Sequence, residues 1–294
     1  MRKLLNRKQR INIVKFIALL SLVRWYNILT VVVAQILASI FILNPHVHPL
    51  LVIADPYLHL TILSSGFIIA SGFIINSFYD LEKDTINNPG KVVFNRLITQ
   101  QTCLNFYFLF NTIGMVMSFY VSKRVMLFNF LFSIGLWFYS HKLKKKALWG
   151  NLSATVLSVL PFLVIVIYYK EINYAIFFYV AYIALIVLIR ELLKDLISRK
   201  GDAVMEYQSA PVLYGVSETK NIIFGIMAAT VVPPILLYFT YAVNWAIIYF
   251  SVGTAAVTVS AFMLSRASTE SDFEKINNLY KGIILTGILS ITLI

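Results

Sequence analysis

Residues 58–79 read LHLTILSSGFIIASGFIINSFY, and the chain turns acidic immediately afterwards with Asp80-Leu81-Glu82-Lys83-Asp84. An uncharged run of that length crosses a hydrocarbon core of roughly 30 Å as a helix. Lipid offers no hydrogen-bonding partner to the backbone, so such a run has to be helical. Further runs of the same character lie at about 25–43, 102–121, 125–140, 149–168, 173–193, 219–240, 244–265 and 276–294. The whole chain carries 59% hydrophobic and 13% charged residues, at a mean hydropathy of +0.79. A soluble domain carries roughly a quarter charged residues, so this chain has too little polar surface to face water all round. The reading is an all-α, multi-span transmembrane bundle of about nine helices, one domain over residues 1–294, with no Gly/Ser-rich linker or composition break.

The formal net charge of +12 raises the question of nucleic acid, and the placement of the basic residues answers it. One side of the bundle collects Arg2, Lys3, Arg7, Lys8 and Arg10, then Lys83, Lys91 and Arg96, then Lys142, Lys144, Lys145 and Lys146. Arg190, Lys194, Arg199, Lys200, Lys220, Arg266 and Lys275 fall on the same side, against Lys123, Arg124 and Lys170 on the other. Lys and Arg accumulate on the cytoplasmic side of a membrane protein, so the N-terminus and the longer loops are expected in the cytoplasm. The partner of that charge is the membrane rather than nucleic acid. The run after Arg24 is too long for a signal peptide and lacks a small-residue cleavage site, so it reads as a retained first span. Cys103 stands alone and permits no internal disulfide.

Two longer polar connections, about 80–101 and 194–218, each follow a span that ends in acidic residues, four spans apart, which hints at an internal duplication. In the first, Asn76, Asp80 and Asp84 are spaced i, i+4, i+8 and share one helical face. Carboxylates stacked in this way repel unless a cation lies between them. Mg²⁺ suits them, since it takes hard oxygen ligands and is completed by phosphate and water. A solvated helix end explains the same pattern. In the second, Glu191 and Asp195 are i, i+4, and Asp195 and Asp202 share a face if the helix persists that far; surface salt bridging is the competing explanation. Arg24 and Asn27 are i, i+3 neighbours on one helical face at the edge of the first span, where an Arg either snorkels to headgroups or holds a ligand. Of the basic run after Tyr139, most lysines serve topology and anionic lipid, with one or two available to a diphosphate.

Taken in order, these residues resemble the UbiA superfamily of intramembrane prenyltransferases. The resemblance rests on Asn76-x-x-x-Asp80-x-x-x-Asp84, on Asn87-Asn88-Pro89-Gly90-Lys91, and on Tyr139-Ser140-x-Lys142-Leu143-Lys144. It continues through Arg190-Glu191-x-x-Lys194-Asp195 with Gly201-Asp202, and Ala210-Pro211-Val212-Leu213-Tyr214-Gly215. Within the superfamily the chain looks most like the geranylgeranylglyceryl phosphate geranylgeranyltransferases. One departure stands out: the family pattern implies a carboxylate at position 198, where this chain has Ser198, with Arg199 and Lys200 following. The resemblance implies that Asn76, Asp80 and Asp84 hold one Mg²⁺ and Asp195 and Asp202 a second; Ser198 then means a more loosely held second ion, Lys200 or Arg199 touching diphosphate in its place, or an altered substrate or lower activity. Asp80, Asp84, Asp195 and Asp202 then carry the catalysis, and Arg24, Asn27, Lys91, Tyr139, Lys142 and Lys194 bind diphosphate or acceptor.

The implied reaction takes a prenyl diphosphate from the bilayer and delivers its prenyl group to a lipid-type or aromatic acceptor at a cytoplasmic site. Geranylgeranylglyceryl phosphate is the first expectation for that acceptor and an aromatic quinone precursor the second. The competing class is a secondary transporter, for which Pro161 and Pro233-Pro234 are the available hints; a non-catalytic membrane scaffold is a third reading.

Overall fold

The structure is a computed structural model that describes residues 6–87, 98–241 and 245–293, and among them no β-strand occurs. Helix α1 spans Arg7–Leu22, α2 Trp25–Ala38, α3 Pro56–Asn87, α4 Gln100–Val121 and α5 Lys123–His141. They are followed by α6 Trp149–Tyr169, α7 Tyr174–Val204, α8 Gly215–Ala229, α9 Val232–Tyr241, α10 Ala246–Arg266 and α11 Glu270–Leu289. Helix α2 runs on through a π-helical turn, Ser39–Leu43, to complete its span. Polar side chains set several of the helix starts. Thr99 accepts from Thr102 N and Ser122 from Val125 N, Asn173 accepts from Ala175 N, and Thr269 forms a capping box with Asp272. Each satisfies an amide that the helix itself leaves without a partner.

Eight helices among the described residues are long and apolar enough to cross a membrane. The ninth expected span, 125–140, is formed by α5, which falls outside that set because it begins Lys123-Arg124 and ends at His141. The expected span 219–240 is two helices, α8 and α9, broken at Thr230-Val231 ahead of Pro233-Pro234. Proline has no N–H to continue a ladder but is tolerated in a first turn, so the chain restarts there. Helix α7 continues past the expected limit of 193 to Val204 and so contains Asp195 and Asp202.

The spans close into a ring in which α11 returns to α2, with α3 and α7 each packed on several neighbours. The inward face of α7 (Ile176, Tyr179, Tyr182, Ile186, Ile189, Leu192, Leu193 and Leu196) forms much of the buried core. Outward-facing Phe119, Tyr120, Leu131 and Phe239 are exposed, as a lipid-facing surface requires. Buried polar groups find partners across helices. Gln35 donates to Ser65 Oγ at 3.1 Å and to the Pro161 carbonyl at 2.6 Å. Asn129 donates to Ser64 at 3.0 Å and Ser118 at 2.7 Å. Such bonds contribute about 0.6 kcal/mol each on average in membrane bundles.

Gly253 lets α10 approach α7 so closely that a Cβ there would collide with the Tyr182 hydroxyl, a group with no hydrogen-bond partner among the described residues. Gly253→Val is expected to destabilise the detergent-solubilised protein by about 1–3 kcal/mol, read as a lower unfolding temperature. Tyr182→Phe should rescue Gly253→Ala, because the colliding atom is removed. A Gly253→Val protein that melts with the wild type would refute this account of the packing.

Candidate active site

Helices α3 and α7 are 32 and 31 residues long, against the roughly 20 that span a bilayer, so each projects beyond the hydrocarbon. At the projecting end of α3, Asn76 lies one turn before Asp80 and donates to its Oδ2 at 2.8 Å. The other carboxylate oxygen accepts from Lys144 Nζ at 2.6 Å. Both side chains are largely withdrawn from solvent, at 6% exposure for Lys144 and 18% for Asp80. The Lys144 ammonium also lies 3.5 Å from the Asn76 carbonyl and 5.7 Å from the centroid of the Tyr79 ring. The Tyr79 hydroxyl in turn hydrogen-bonds His141 Nδ1 at 3.1 Å, and His141 stacks on Trp137.

Backbone geometry delivers Lys144 to that position. A single 3₁₀ turn, Leu143–Lys145, follows α5. Its next residue, Lys146, bridges to Gln208, whose amide donates to the Lys145 carbonyl at 3.0 Å. Gly150 at the start of α6 lies directly beneath; a Cβ there would come within 3.1 Å of the Leu143 carbonyl. The connections after α5 and after α7 are therefore stitched together over the site.

On α7, Asp195 accepts from Asn151 Nδ2 at 2.9 Å, and Asn151 is buried in the first turn of α6. Asp202 is fully buried, accepts from Ser198 Oγ at 2.9 Å, and offers its carbonyl to Tyr207 N at 2.8 Å. Seven residues of helix place Asp202 about 10 Å along the axis from Asp195, and Ser198 anchors Asp202 inside the fold. Lys200, an expected substitute contact, pairs instead with Glu270 at 2.8 Å on the exposed surface, and Arg199 is exposed.

Tyr139 is half-buried on α5. The other expected residues sort as follows. Arg24 is not on a helical face with Asn27. It is left-handed (φ 50°, ψ 51°) between α1 and α2, its carbonyl accepts from Asn27 N, and its guanidinium lies 5.4 Å from the Phe73 ring. Lys142 points to solvent, and the inward lysine of that run is Lys144. Lys194 pairs with Glu191 on its own helix at 2.5 Å. Asp84 continues α3, but its side chain, like all of Lys91, lies outside the described residues. Asn151 and His141 are site residues that the sequence did not single out, and Lys144, quoted within the Tyr139–Lys144 motif, was assigned no contact there. A lysine past the end of a helix carries no periodicity, and a lone Asn carries no charge pattern.

The donor set suits a hard cation. Asn76 Oδ1 is buried with no hydrogen-bond partner among the described residues, an arrangement that costs roughly 1–3 kcal/mol. It neighbours a carboxylate already neutralised by an ammonium. Among the described side chains no three His, Cys, Asp or Glu residues cluster for a metal, so Asn76 and Asp80 would hold Mg²⁺ only together with phosphate and water oxygens, as that ion prefers.

With this geometry in view the chain can be placed: it belongs to the UbiA prenyltransferase family, whose pattern it matches over residues 27–286. It is accordingly a prenyltransferase and an integral, multi-pass membrane protein. It is similar to the digeranylgeranylglyceryl phosphate synthase of Methanopyrus kandleri, at 27% identity over 229 residues, which cover 77% of this chain and 83% of the relative. Among solved structures it superposes with a TM-score of 0.72 and 21% identity, over 95% of this chain and 99% of the other, on one described in a study of digeranylgeranylglyceryl phosphate synthase in membranes. A UbiA homologue from Archaeoglobus fulgidus, bound to GPP and Mg²⁺, superposes with a TM-score of 0.67 and 18% identity over 95% and 99% of the two chains.

Removing Lys144 leaves Asp80 without its counter-charge in a largely dry pocket. Lys144→Met is expected to lower stability by about 1–3 kcal/mol, between the exposed and the fully buried cases. Because the ammonium no longer competes for Asp80, Mg²⁺ should raise the unfolding temperature of this variant more than that of the wild type. Equal Mg²⁺ responses in a thermal-shift titration would show that Lys144 and the ion do not share Asp80.

Proposed function

We propose that this chain transfers a prenyl group, of geranylgeranyl type, from its diphosphate to the hydroxyl of an isoprenoid glyceryl phosphate, with Mg²⁺ and on the cytoplasmic face. The observation that carries the reading is the Lys144–Asp80 pair beside the unpartnered oxygen of Asn76. One small volume there combines a fixed positive charge with hard oxygen donors. Asp195 on α7, paired with Asn151, supplies a further carboxylate. The synthase relatives support the choice of acceptor, and the GPP- and Mg²⁺-bound homologue supports that of donor and ion. The orientation rests on the distribution of Lys and Arg.

In the reaction, the bond between the allylic carbon and the diphosphate oxygen breaks, and pyrophosphate leaves with the electron pair. The acceptor oxygen forms the new C–O bond and gives up its proton. Mg²⁺, when bound, supplies positive charge to the leaving diphosphate. Lys144 adds a fixed ammonium, held in place before substrate arrives, and so requires little reorganisation. Asn76 and Asp80 orient that charge. The rings of Tyr79 and Tyr139 offer π faces to the allylic cation, and Tyr79 already holds an ammonium over its ring. The helices around the pocket limit the access of water, which would otherwise capture the cation. A transport role fits less well. Asp202, at the end of α7, is the charged member of the buried polar set among the described residues, and the polar groups within the spans are neutral ones such as Gln35, Ser64 and Asn129.

The test is a reconstituted assay with Mg²⁺ and geranylgeranyl diphosphate, offering geranylgeranylglyceryl phosphate and 4-hydroxybenzoate as rival acceptors and following lipid products. Product from the glyceryl phosphate, abolished by EDTA, is expected; product from 4-hydroxybenzoate alone would move the protein to quinone synthesis. Asp80→Ala and Asp84→Ala should each lower turnover at least about 100-fold, the scale of losing one electrostatic contact to the transition state, while membrane insertion is retained. Unchanged turnover in either variant would remove that residue from the site.

A further inference from the structure

Helix α1 lies outside the catalytic pocket and outside the ring of spans. Its 16 residues are about 24 Å long, and only Ile13–Leu22 is apolar, too short to cross a bilayer. Its C-terminal half is docked: Ala18, Leu22 and Val23 are buried, the last two in a cluster with Ala70, Ile74 and Cys103 of α3 and α4. A second apolar face is left uncovered. Phe16 is 60% and Ile17 50% exposed, and Trp25 and Tyr26 follow at 54% and 56% just past the Arg24 turn. Residues 1–24 carry seven basic and no acidic side chains (Arg2, Lys3, Arg7, Lys8, Arg10, Lys15 and Arg24). A helix with an open apolar face and aromatic neighbours, in a segment of such basic composition, belongs in the plane of the membrane interface.

Where α1 passes the start of α4, a cleft of about 270 Å³ opens between them. Lys15 stands at one wall with Phe16 and Leu19, and Ile98, Thr102 and Phe106 form the other. A single ammonium beside otherwise mostly apolar walls, on a segment of unrelieved positive charge, is complementary to an amphiphile with a negative head and a hydrocarbon tail. We propose that this cleft binds an anionic phospholipid of the leaflet on the basic side, with the headgroup phosphate at Lys15 and the chain along Phe16, Leu19, Ile98 and Phe106. A zwitterionic lipid fills the same volume but gains less from the charge. Each basic side chain at an anionic surface favours the anionic lipid about five-fold, the equivalent of about 1 kcal/mol. The bound lipid ties α1 to the bilayer beside α3, which carries the first acidic motif.

The test uses the full chain in nanodiscs containing phosphatidylglycerol or phosphatidylcholine with a photoreactive group on one acyl chain, and peptide mass spectrometry locates the label. The phosphatidylglycerol probe is expected to label residues 13–19 and 98–106 at least about five-fold more than the phosphatidylcholine probe. Lys15→Glu should bring the two probes to parity, and Lys15→Gln should reduce the ratio, which keeps the test open if the charge reversal fails to fold. Equal labelling by both probes in the wild type, absence of label from these segments, or a ratio unchanged in a folded Lys15 variant would overturn the proposal. Neither prenyl diphosphate nor acceptor enters the experiment, so its outcome is independent of the acceptor assay.

Discussion

Hydrocarbon offers polar groups nothing to bind, and most features of this protein follow from that constraint. Every backbone amide within the bilayer must pair inside its own helix, and charged side chains are expelled to the helix ends. The helices that bear acidic residues therefore run past the membrane, α3 to Asn87 and α7 to Val204. The pocket forms where those overhangs meet, and the same expulsion leaves the interior to neutral pairs such as Gln35 with Ser65 and Asn129 with Ser118.

The pocket is organised around a pre-positioned cation. Lys144 reaches Asp80 because a 3₁₀ turn, a glycine beneath it and a bridge to the connection after α7 leave its backbone little freedom. A carboxylate largely withdrawn from water is costly unless paired, and Lys144 supplies that partner for Asp80. The two halves are chemically unequal. The α3 side presents Asn76 and Asp80 to the pocket, whereas on the α7 side Ser198 fastens Asp202 within the fold and leaves Asp195 with Asn151. Position 198, where the family pattern implies a carboxylate, is thus a structural contact in this chain.

Much of this was legible in the sequence. The apolar runs gave the spans because span length is a direct consequence of bilayer thickness, and 125–140 was read among them although α5 begins at Lys123-Arg124 and ends at His141. The i, i+4 spacing of Asn76 and Asp80 was legible because helical period alone makes them neighbours. Lys142, the lysine of its run expected to bind diphosphate, stands exposed while Lys144 points inward, because the chain leaves α-helical geometry at that point and facing is set by a 3₁₀ turn. Arg24 and Asn27 were assigned to one face on the assumption of a continuous helix, and a left-handed residue at Arg24 breaks it.

The sequence by itself determined that the chain is a bundle of membrane-spanning helices and that its acidic residues gather at helix ends, since both follow from local composition and spacing. Tertiary structure alone decided which charges meet. Lys144 and Asp80 are 64 residues apart, and Asn151 and Asp195 are 44 apart. No local period connects such positions; only the closure of the ring of helices and the stitching of two loops bring them within hydrogen-bonding distance.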